Sequence, residues 1–184
     1  MFIQIEPTPN PATLKFLPGR LVLVDGTADY RSKLEAGSSP LALRLFNIKN
    51  VSGVFLGTDF VSVTKSNGDW QHLKPAILGA IMDYYTSGDS SKAAPSSNHD
   101  VEGNYAPEDA EVVAKIKELL ETRVRPAVAQ DGGDITFFGF HDGIVYLSMR
   151  GACAGCPSST ATLRHGIESL IRYFCPEVKA VEAA

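Results

Sequence analysis

Residues 87–106 read SGDSSKAAPSSNHDVEGNYA, and no other stretch constrains the fold of this chain as strongly. Ser, Gly, Asn, Asp and Ala dominate it, and Val101 and Tyr105 are its only large apolar side chains. So little apolar surface cannot offset the entropy of ordering the backbone, roughly 1–2 kcal/mol per residue. The stretch is expected to be a flexible linker. It divides the 184 residues into two segments, 1–86 and 107–184, each the size of a small domain. At 44% hydrophobic and 21% charged, the chain has enough apolar material for a core.

The first segment alternates strand and helix signals. Thr13–Leu17 reads as a strand turned by Pro18-Gly19, and Leu21–Val24 as a buried strand after it. Ser39 and Pro40 open a short helix through Phe46, as N-cap and first helical residue. Val51–Leu56 and Phe60–Thr64 read as a hairpin, the latter alternating Phe60, Ser62 and Thr64 against Val61 and Val63. Leu73, Ile77, Leu78, Ile81 and Tyr84/Tyr85 have helical spacing.

The second segment opens on Pro107-Glu108-Asp109, proline and acids that suit a helix start. Val112, Val113, Ile116, Leu119, Leu120, Val124 and Val128 form one apolar stripe, which Pro126 kinks or ends. Asp131-Gly132-Gly133-Asp134 is a turn. Ile135–Phe140 and Ile144–Met149 are strands of a hairpin joined by His141-Asp142-Gly143. Leu163, Ile167, Leu170, Ile171 and Phe174 mark a second helix that Pro176 stops, and Val178–Val181 a last strand. The expected class is α+β: two small α/β domains joined by a flexible linker. The second has the order α-β-β-α-β, with its helices on one face of a small sheet.

Charge and composition exclude several functions. The formal net charge is -4 and the basic residues are scattered, so nucleic acid is not an expected partner. No stretch approaches the roughly 18–20 apolar residues of a membrane span, so no membrane role is expected. Met1–Glu6 carries neither a basic n-region with an apolar core nor an Arg-rich presequence, which predicts a cytoplasmic protein, with a mature organelle protein as the alternative. Three cysteines are too few, and odd in number, for a secreted disulfide scaffold.

The chemistry concentrates at Gly151-Ala152-Cys153-Ala154-Gly155-Cys156-Pro157. Two small residues between the cysteines allow a tight turn that brings the sulfurs together and leaves both accessible. Pro157 suits a first helical position, so the thiols lie at a helix N-terminus, where unpaired N–H groups and the dipole favour thiolate. A Cys-x-x-Cys alone leaves several readings. Packing cysteines fit poorly with the glycine-flanked setting. A thioredoxin-like thiol–disulfide oxidoreductase shares the strand–motif–helix order. It needs a parallel βαβ arrangement and further strands; here the preceding strand belongs to a hairpin, and about ten residues follow the helix, too few for another crossover. A zinc site needs four ligands, and the segment offers Cys153, Cys156, Cys175, His141 and His165. An iron–sulfur cluster commonly takes four thiolates. One chain supplies two and a symmetric pair supplies four, which points to a cluster bridging a homodimer. A cluster held this way should be labile, as suits a carrier.

The run Arg125-Pro126-Ala127, Asp131-Gly132-Gly133-Asp134, Gly143-Ile144-Val145 and Gly151-Ala152-Cys153-Ala154-Gly155-Cys156-Pro157-Ser158-Ser159 closely resembles the C-terminal domain of NifU-like (Nfu-type) proteins. Residues 1–86 resemble the N-terminal domain of many of them. The matching stretches are Thr8-Pro9-Asn10-Pro11, Leu14–Gly19, Ser39-Pro40-Leu41-Ala42, Asp59–Lys65, Asp69-Trp70 and Leu73-Lys74-Pro75. The resemblance implies a non-enzymatic carrier of a [4Fe–4S] cluster, with Cys153 and Cys156 as the iron ligands. It also implies protein partners: a second copy of the chain, an upstream assembly scaffold and client apo-proteins.

The remaining candidates have plainer readings. Cys175 is a buried small hydrophobe. Asp131 and Asp134 are turn residues. Trp70, Phe60 and Tyr84/Tyr85 pack in a core rather than forming a docking patch. Arg150, Arg164 and Arg172 could offset the negative charge of a cluster, although the latter two also suit a solvated helix face. The first segment lacks cysteine, a phosphate loop and a triad, and reads as a recognition or regulatory module.

Overall fold

The computed structural model describes residues 1–89, 103–154 and 157–184, with side chains for all of these but 157–160. The chain divides into two compact units, 1–98 and 99–184.

The first unit is a five-stranded antiparallel sheet with two helices. Its elements are β1 (Gln4–Pro7), β2 (Thr13–Leu17), β3 (Ala28–Tyr30), α1 (Pro40–Phe46), β4 (Val51–Leu56), β5 (Val61–Lys65) and α2 (Trp70–Thr86). Strand order is β1-β2-β5-β4-β3. Register places Phe16, Val61, Leu56 and Ala28 in one cross-strand row, and Leu14, Val63, Val54 and Tyr30 in the next. These rows share a core with Leu41, Ala42 and Leu45 of α1 and Leu73, Ile77 and Ile81 of α2. The Ser39 hydroxyl accepts from the Ala42 N–H at 3.2 Å, the N-cap that the Ser-Pro pair predicts.

The first unit departs from expectation in two places. Leu21–Val24 is not a strand: Val22 and Leu23 are buried but Leu21 and Val24 are exposed. Its backbone bonds go to a loop, with the Val22 N–H donating to the Thr58 carbonyl oxygen at 2.8 Å. The short strands β1 and β3, at the two sheet edges, were not anticipated. Ser62 alternates against Val61 and Val63 as expected, on the other face of the sheet. It is buried beside Lys15 and Phe55 in the opposite row, where Phe60 packs on Phe55 at 5.9 Å and Lys15 Nζ lies 4.8 Å from the Phe60 ring.

The second unit runs α3 (Ala110–Leu119), a π-helical turn (Leu120–Val124), α4 (Arg125–Gln130), β6 (Gly133–His141), β7 (Ile144–Gly151), α5 (Pro157–Phe174) and β8 (Ala180–Ala183). Pro126 sits just after the π turn, a widening that absorbs the missing N–H and the ring's bulk without ending the helical run. Asp142 and Gly143 both have positive φ, 50° and 80°, the two-residue turn of a tight hairpin. One face of the sheet, with Ile135, Phe137, Val145, Leu147 and Val181, shares a core with Val113, Ile116 and Leu120 from the first helical run and Ile167 and Ile171 of α5. This is the α+β arrangement expected.

Sheet order is β6-β7-β8, and β8 pairs with β7 in parallel. Helix α5 is therefore the crossover of a βαβ unit. The parallel βαβ unit that a thioredoxin-like fold requires is present, because the crossover is the helix after the motif itself. Among the described residues the sheet ends at three strands.

Of the stretch read as linker, residues 90–102 lie outside those described. Its two ends are placed. Asp89 pairs with Arg44 at 2.7 Å. Asn104 bridges Gly139 of β6 in parallel, with the Phe140 N–H donating to its carbonyl oxygen at 3.0 Å, and Tyr105 meets Phe137 edge-on. No helix among the described residues is long and apolar enough to cross a membrane.

Candidate metal centre

The site is built where α4, β6 and β7 meet. Helix α4 ends with the Asp131 and Gly132 N–H groups donating to the Val128 and Ala129 carbonyl oxygens, each at 3.0 Å. Gly132 has φ 78°, which turns the chain into β6. Gly133 then lies opposite Gly151, the last residue of β7, whose φ of 63° turns the chain off the sheet. The Ala152 N–H donates to the Gly132 carbonyl oxygen at 3.2 Å, and the Ala154 N–H to Gly151 at 3.1 Å. The cysteine loop is thus folded back over the Asp131–Asp134 turn.

Cys153 is 6% exposed and belongs to the core of the second unit. This corrects the expectation that both sulfurs stand accessible. A Cβ built on Gly133 would lie 2.6 Å from Cys153 Sγ, so the sulfur occupies the space a side chain at 133 would fill. Cys156 lies outside the described residues. It directly precedes Pro157, the first residue of α5, as the motif predicts.

Asp134 has a larger part than a turn residue. It is 3% exposed and accepts two hydrogen bonds from Arg125, Nε to Oδ1 at 2.9 Å and Nη2 to Oδ2 at 3.0 Å. Arg125 Nη1 also reaches Glu121 at 2.6 Å. The hydrogen bond to Asp134 is the main reason the guanidinium holds its proton more tightly than usual, against the opposing effect of burial. The pair could have been sought in sequence from Arg125 and DGGD together, but nothing in the spacing identified Arg125 as the partner.

The other candidate ligands lie elsewhere. Cys175 follows the 18-residue helix α5, whose length is about 27 Å, and is 1% exposed. Burial first, then Glu177, raises its thiol pKa, as expected of a packing cysteine. His141 ends β6 opposite Ile144, roughly 23 Å along β7 from Gly151, exposed and 3.2 Å from Asp142. His165 is exposed on α5. Arg164 and Arg172 pair with Glu182 and Glu168, at 3.3 and 3.6 Å. Among the described residues no three His, Cys, Asp or Glu side chains converge as a metal site. Neither Cys175, His141 nor His165 is therefore placed to join Cys153 as a metal donor.

In the first unit, Trp70 donates from its indole to the Pro11 carbonyl oxygen at 3.0 Å and packs against the core. Phe60, Tyr84 and Tyr85 are buried, so these aromatics pack as expected.

Comparison with known proteins agrees with this arrangement. Residues 3–88 match the family model "Scaffold protein Nfu/NifU N terminal", and residues 116–182 match "NifU-like domain". The chain is 49% identical over 186 residues to the human protein named "NFU1 iron-sulfur cluster scaffold homolog, mitochondrial", covering 99% of this chain and 71% of that one. It is 49% identical over 189 residues to "NifU-like protein 4, mitochondrial" of Arabidopsis thaliana, and 47% identical over 184 residues to the NFU1 homolog of Drosophila erecta. It spans 65% and 64% of those two relatives and 99% of itself in both.

All three relatives are named mitochondrial, which overturns the expectation of a cytoplasmic protein. That expectation rested on Met1–Glu6. Residues from Gln4 onward form β1 of the folded unit, so they do not report on targeting. With both domain models matched in order along the chain, it belongs to the Nfu/NifU family of proteins.

Proposed function

We propose that this protein is an iron–sulfur cluster scaffold and carrier, not an enzyme, working in the mitochondrial compartment for which its relatives are named. Its cargo is a [4Fe–4S] cluster, bound by Cys153 and Cys156 of each of two copies and passed to apo-proteins. One observation supports the reading: Cys175 and His141 lie apart from Cys153, which leaves the two cysteines of the motif as the thiols one chain can offer. Four thiolates are the usual complement of such a cluster, and a second copy supplies the other two.

The chain's own contribution is to present the thiols. Arg125 and Asp134 fix the turn beneath the loop. Gly132 and Gly151 supply the backbone angles that fold the loop over it. Cys156 directly precedes α5 in the sequence, and a helix N-terminus favours thiolate. The first unit contains no cysteine and is assigned to recognition of clients or of the upstream scaffold.

Anaerobic reconstitution with ferrous iron and sulfide tests the reading. The expected product is brown, with about four irons per dimer. Cys153→Ser and Cys156→Ser abolish the colour. A protein that stays colourless, or that carries zinc after careful isolation, overturns it. Reduction of insulin by the metal-free protein, dependent on both cysteines, would support the oxidoreductase instead.

A further inference from the structure

We propose that Arg164 and Glu168 of α5 close the free edge of β8 against strand addition by a second copy of this chain. The guard stands on geometry and does not depend on the function proposed above.

Among the described residues β8 is an edge of the three-stranded sheet, paired with β7 alone. Its Ala180 and Ala184 N–H groups donate inward, to the Gly143 carbonyl oxygen at 3.4 Å and the Leu147 carbonyl oxygen at 2.8 Å. Backbone polar groups alternate along a strand, so those of Val181 and Ala183 face outward. Outward N–H and C=O groups are a template for another strand. β8 itself carries neither proline nor lysine, and its alanines have no bulk to hold a strand off.

The edge is covered from above instead. The Val181 N–H donates to Glu168 Oε2 at 3.2 Å, so the donor that an added strand needs is taken. Arg172, one helical turn on, lies 3.6 Å from the same carboxylate. Arg164 reaches Glu182 at 3.3 Å. Val181 shares the core beneath α5, and Glu182, the next residue, faces the other side of the sheet. The ion pair between α5 and Glu182 therefore forms around the free edge. Arg164 and Glu168 are one turn apart, and together they lay a guanidinium and a carboxylate along a strand of four residues.

The outward residues name the occupant. An antiparallel second β8 that uses both of them pairs Val181 of one copy with Ala183 of the other. That register sets Glu182 directly opposite its counterpart. Like charges directly opposite destabilise a strand pair. The opposition acts against this chain itself, and a strand with no acid at that place does not meet it. Two copies joined at their cysteine loops, as proposed above, would otherwise link edge to edge into open chains.

Amide exchange and sedimentation of the full chain, metal-free and reduced, test the guard. In Glu168→Ala at low concentration the Val181 amide should exchange roughly tenfold faster than in the parent. The Cys175 amide, bonded to the Ile171 carbonyl oxygen, should be unchanged and reports on unfolding. Glu168→Gln keeps an acceptor and should stay near the parent. Glu168→Ala combined with Glu182→Gln removes the cover and the repulsion, and should self-associate at a concentration roughly tenfold or more below the parent's. Ala183→Pro added to that pair should restore the parent's behaviour. Proline at an outward position removes no bond to β7 and blocks an added strand.

A Val181 amide unmoved by Glu168→Ala overturns the guard. So does a double variant that sediments as the parent does at every concentration, or an association that Ala183→Pro leaves intact. If the double variant loses its far-UV spectrum, Glu168→Ala alone, with and without Ala183→Pro, decides.

Discussion

Arg125 grips Asp134 with two hydrogen bonds, Nε to Oδ1 at 2.9 Å and Nη2 to Oδ2 at 3.0 Å, joining the first turn of α4 to the second residue of β6. The carboxylate is almost wholly buried and the guanidinium side chain is 27% exposed. Asp134 Oδ1 also accepts from the Ile135 N–H at 2.9 Å. Removing the cation leaves a buried carboxylate without its counter-charge, which costs about 3–5 kcal/mol. Arg125→Met should therefore destabilise the second unit by that amount. Asp134→Asn, which keeps an acceptor for Ile135 and strands no buried charge, should cost less, about 1–3 kcal/mol. Urea unfolding followed by far-UV circular dichroism checks the order. The single Trp, Trp70, lies in the first unit, so its fluorescence transition should stay in place in both variants. A larger loss for Asp134→Asn would mean that the ion pair is not what holds the turn.

Tyr85 gives the first unit an alkaline limit. Its hydroxyl donates to the Leu21 carbonyl oxygen at 3.1 Å, and burial first, then neighbouring Tyr84, pushes its pKa from 10.0 up to about 12, with Arg20 acting the other way. The sign follows from where the proton leaves first. In the unfolded chain the phenol ionises near pH 10.0, while the folded chain keeps its proton to about pH 12. Between these values the unfolded state binds fewer protons, so stability falls as pH rises, by on the order of 2 kcal/mol in all. Tyr84, also raised, adds in the same direction. Tyr85→Phe should cost about 1 kcal/mol at neutral pH through the lost hydrogen bond, and should flatten the decline above pH 10. Urea midpoints at pH 9 and pH 11 read both effects; an equal decline in the variant assigns the alkaline loss to another group.

Features written locally were legible in the sequence. The Ser39 cap and the Asp142-Gly143 hairpin depend on residues next to one another, and both are present as expected. Features that need a partner across the fold were not. Leu21–Val24 has strand composition, but the Val22 and Leu23 N–H groups bond to the Thr58 carbonyl oxygen of a loop and not to a strand. β1 and β3 are short, and only the sheet between them defines them. The parallel return of β8 follows from α5 crossing over the sheet, which no periodicity records. At the site, the motif and the family were readable from GACAGCPSS, whereas the burial of Cys153 was not. It depends on register, which sets Gly133 opposite Gly151 and so under the loop.

The same contrast sets where the second unit begins. Composition placed the linker's end at 106, yet Asn104 continues β6 on its free edge and Tyr105 lies against Phe137, with Lys117 Nζ 5.7 Å from the Tyr105 ring. A fragment starting at 103 keeps these contacts and one starting at 107 loses them. The shorter fragment should be less stable by about 1–3 kcal/mol, from the buried ring and two edge hydrogen bonds. Both should still take up a cluster, because the cysteine loop is untouched. Thermal melts of fragments 103–184 and 107–184 test the first statement, and anaerobic reconstitution tests the second. Equal melts would place 103–106 with the linker after all. Failure of both fragments to hold a cluster would give the first unit a part in binding.

Cys175 separates packing from ligation within one chain. It is as buried as any core residue, and the length of α5 lies between it and the cysteine loop. Replacing its sulfur by a hydroxyl puts a polar group among Ile171, Val178 and Val181, at a cost of about 1–3 kcal/mol. Cys175→Ser should therefore lower the melting temperature of the second unit while leaving iron content and colour after reconstitution unchanged. Cys153→Ser should do the opposite at the site, losing the cluster. Its effect on the melting temperature of the apo-protein should also be felt, because the buried sulfur is part of the same core. Iron and sulfide assays beside calorimetry of the two variants distinguish these outcomes. Loss of iron from Cys175→Ser in a protein that still melts cooperatively would bring the third thiol into the site.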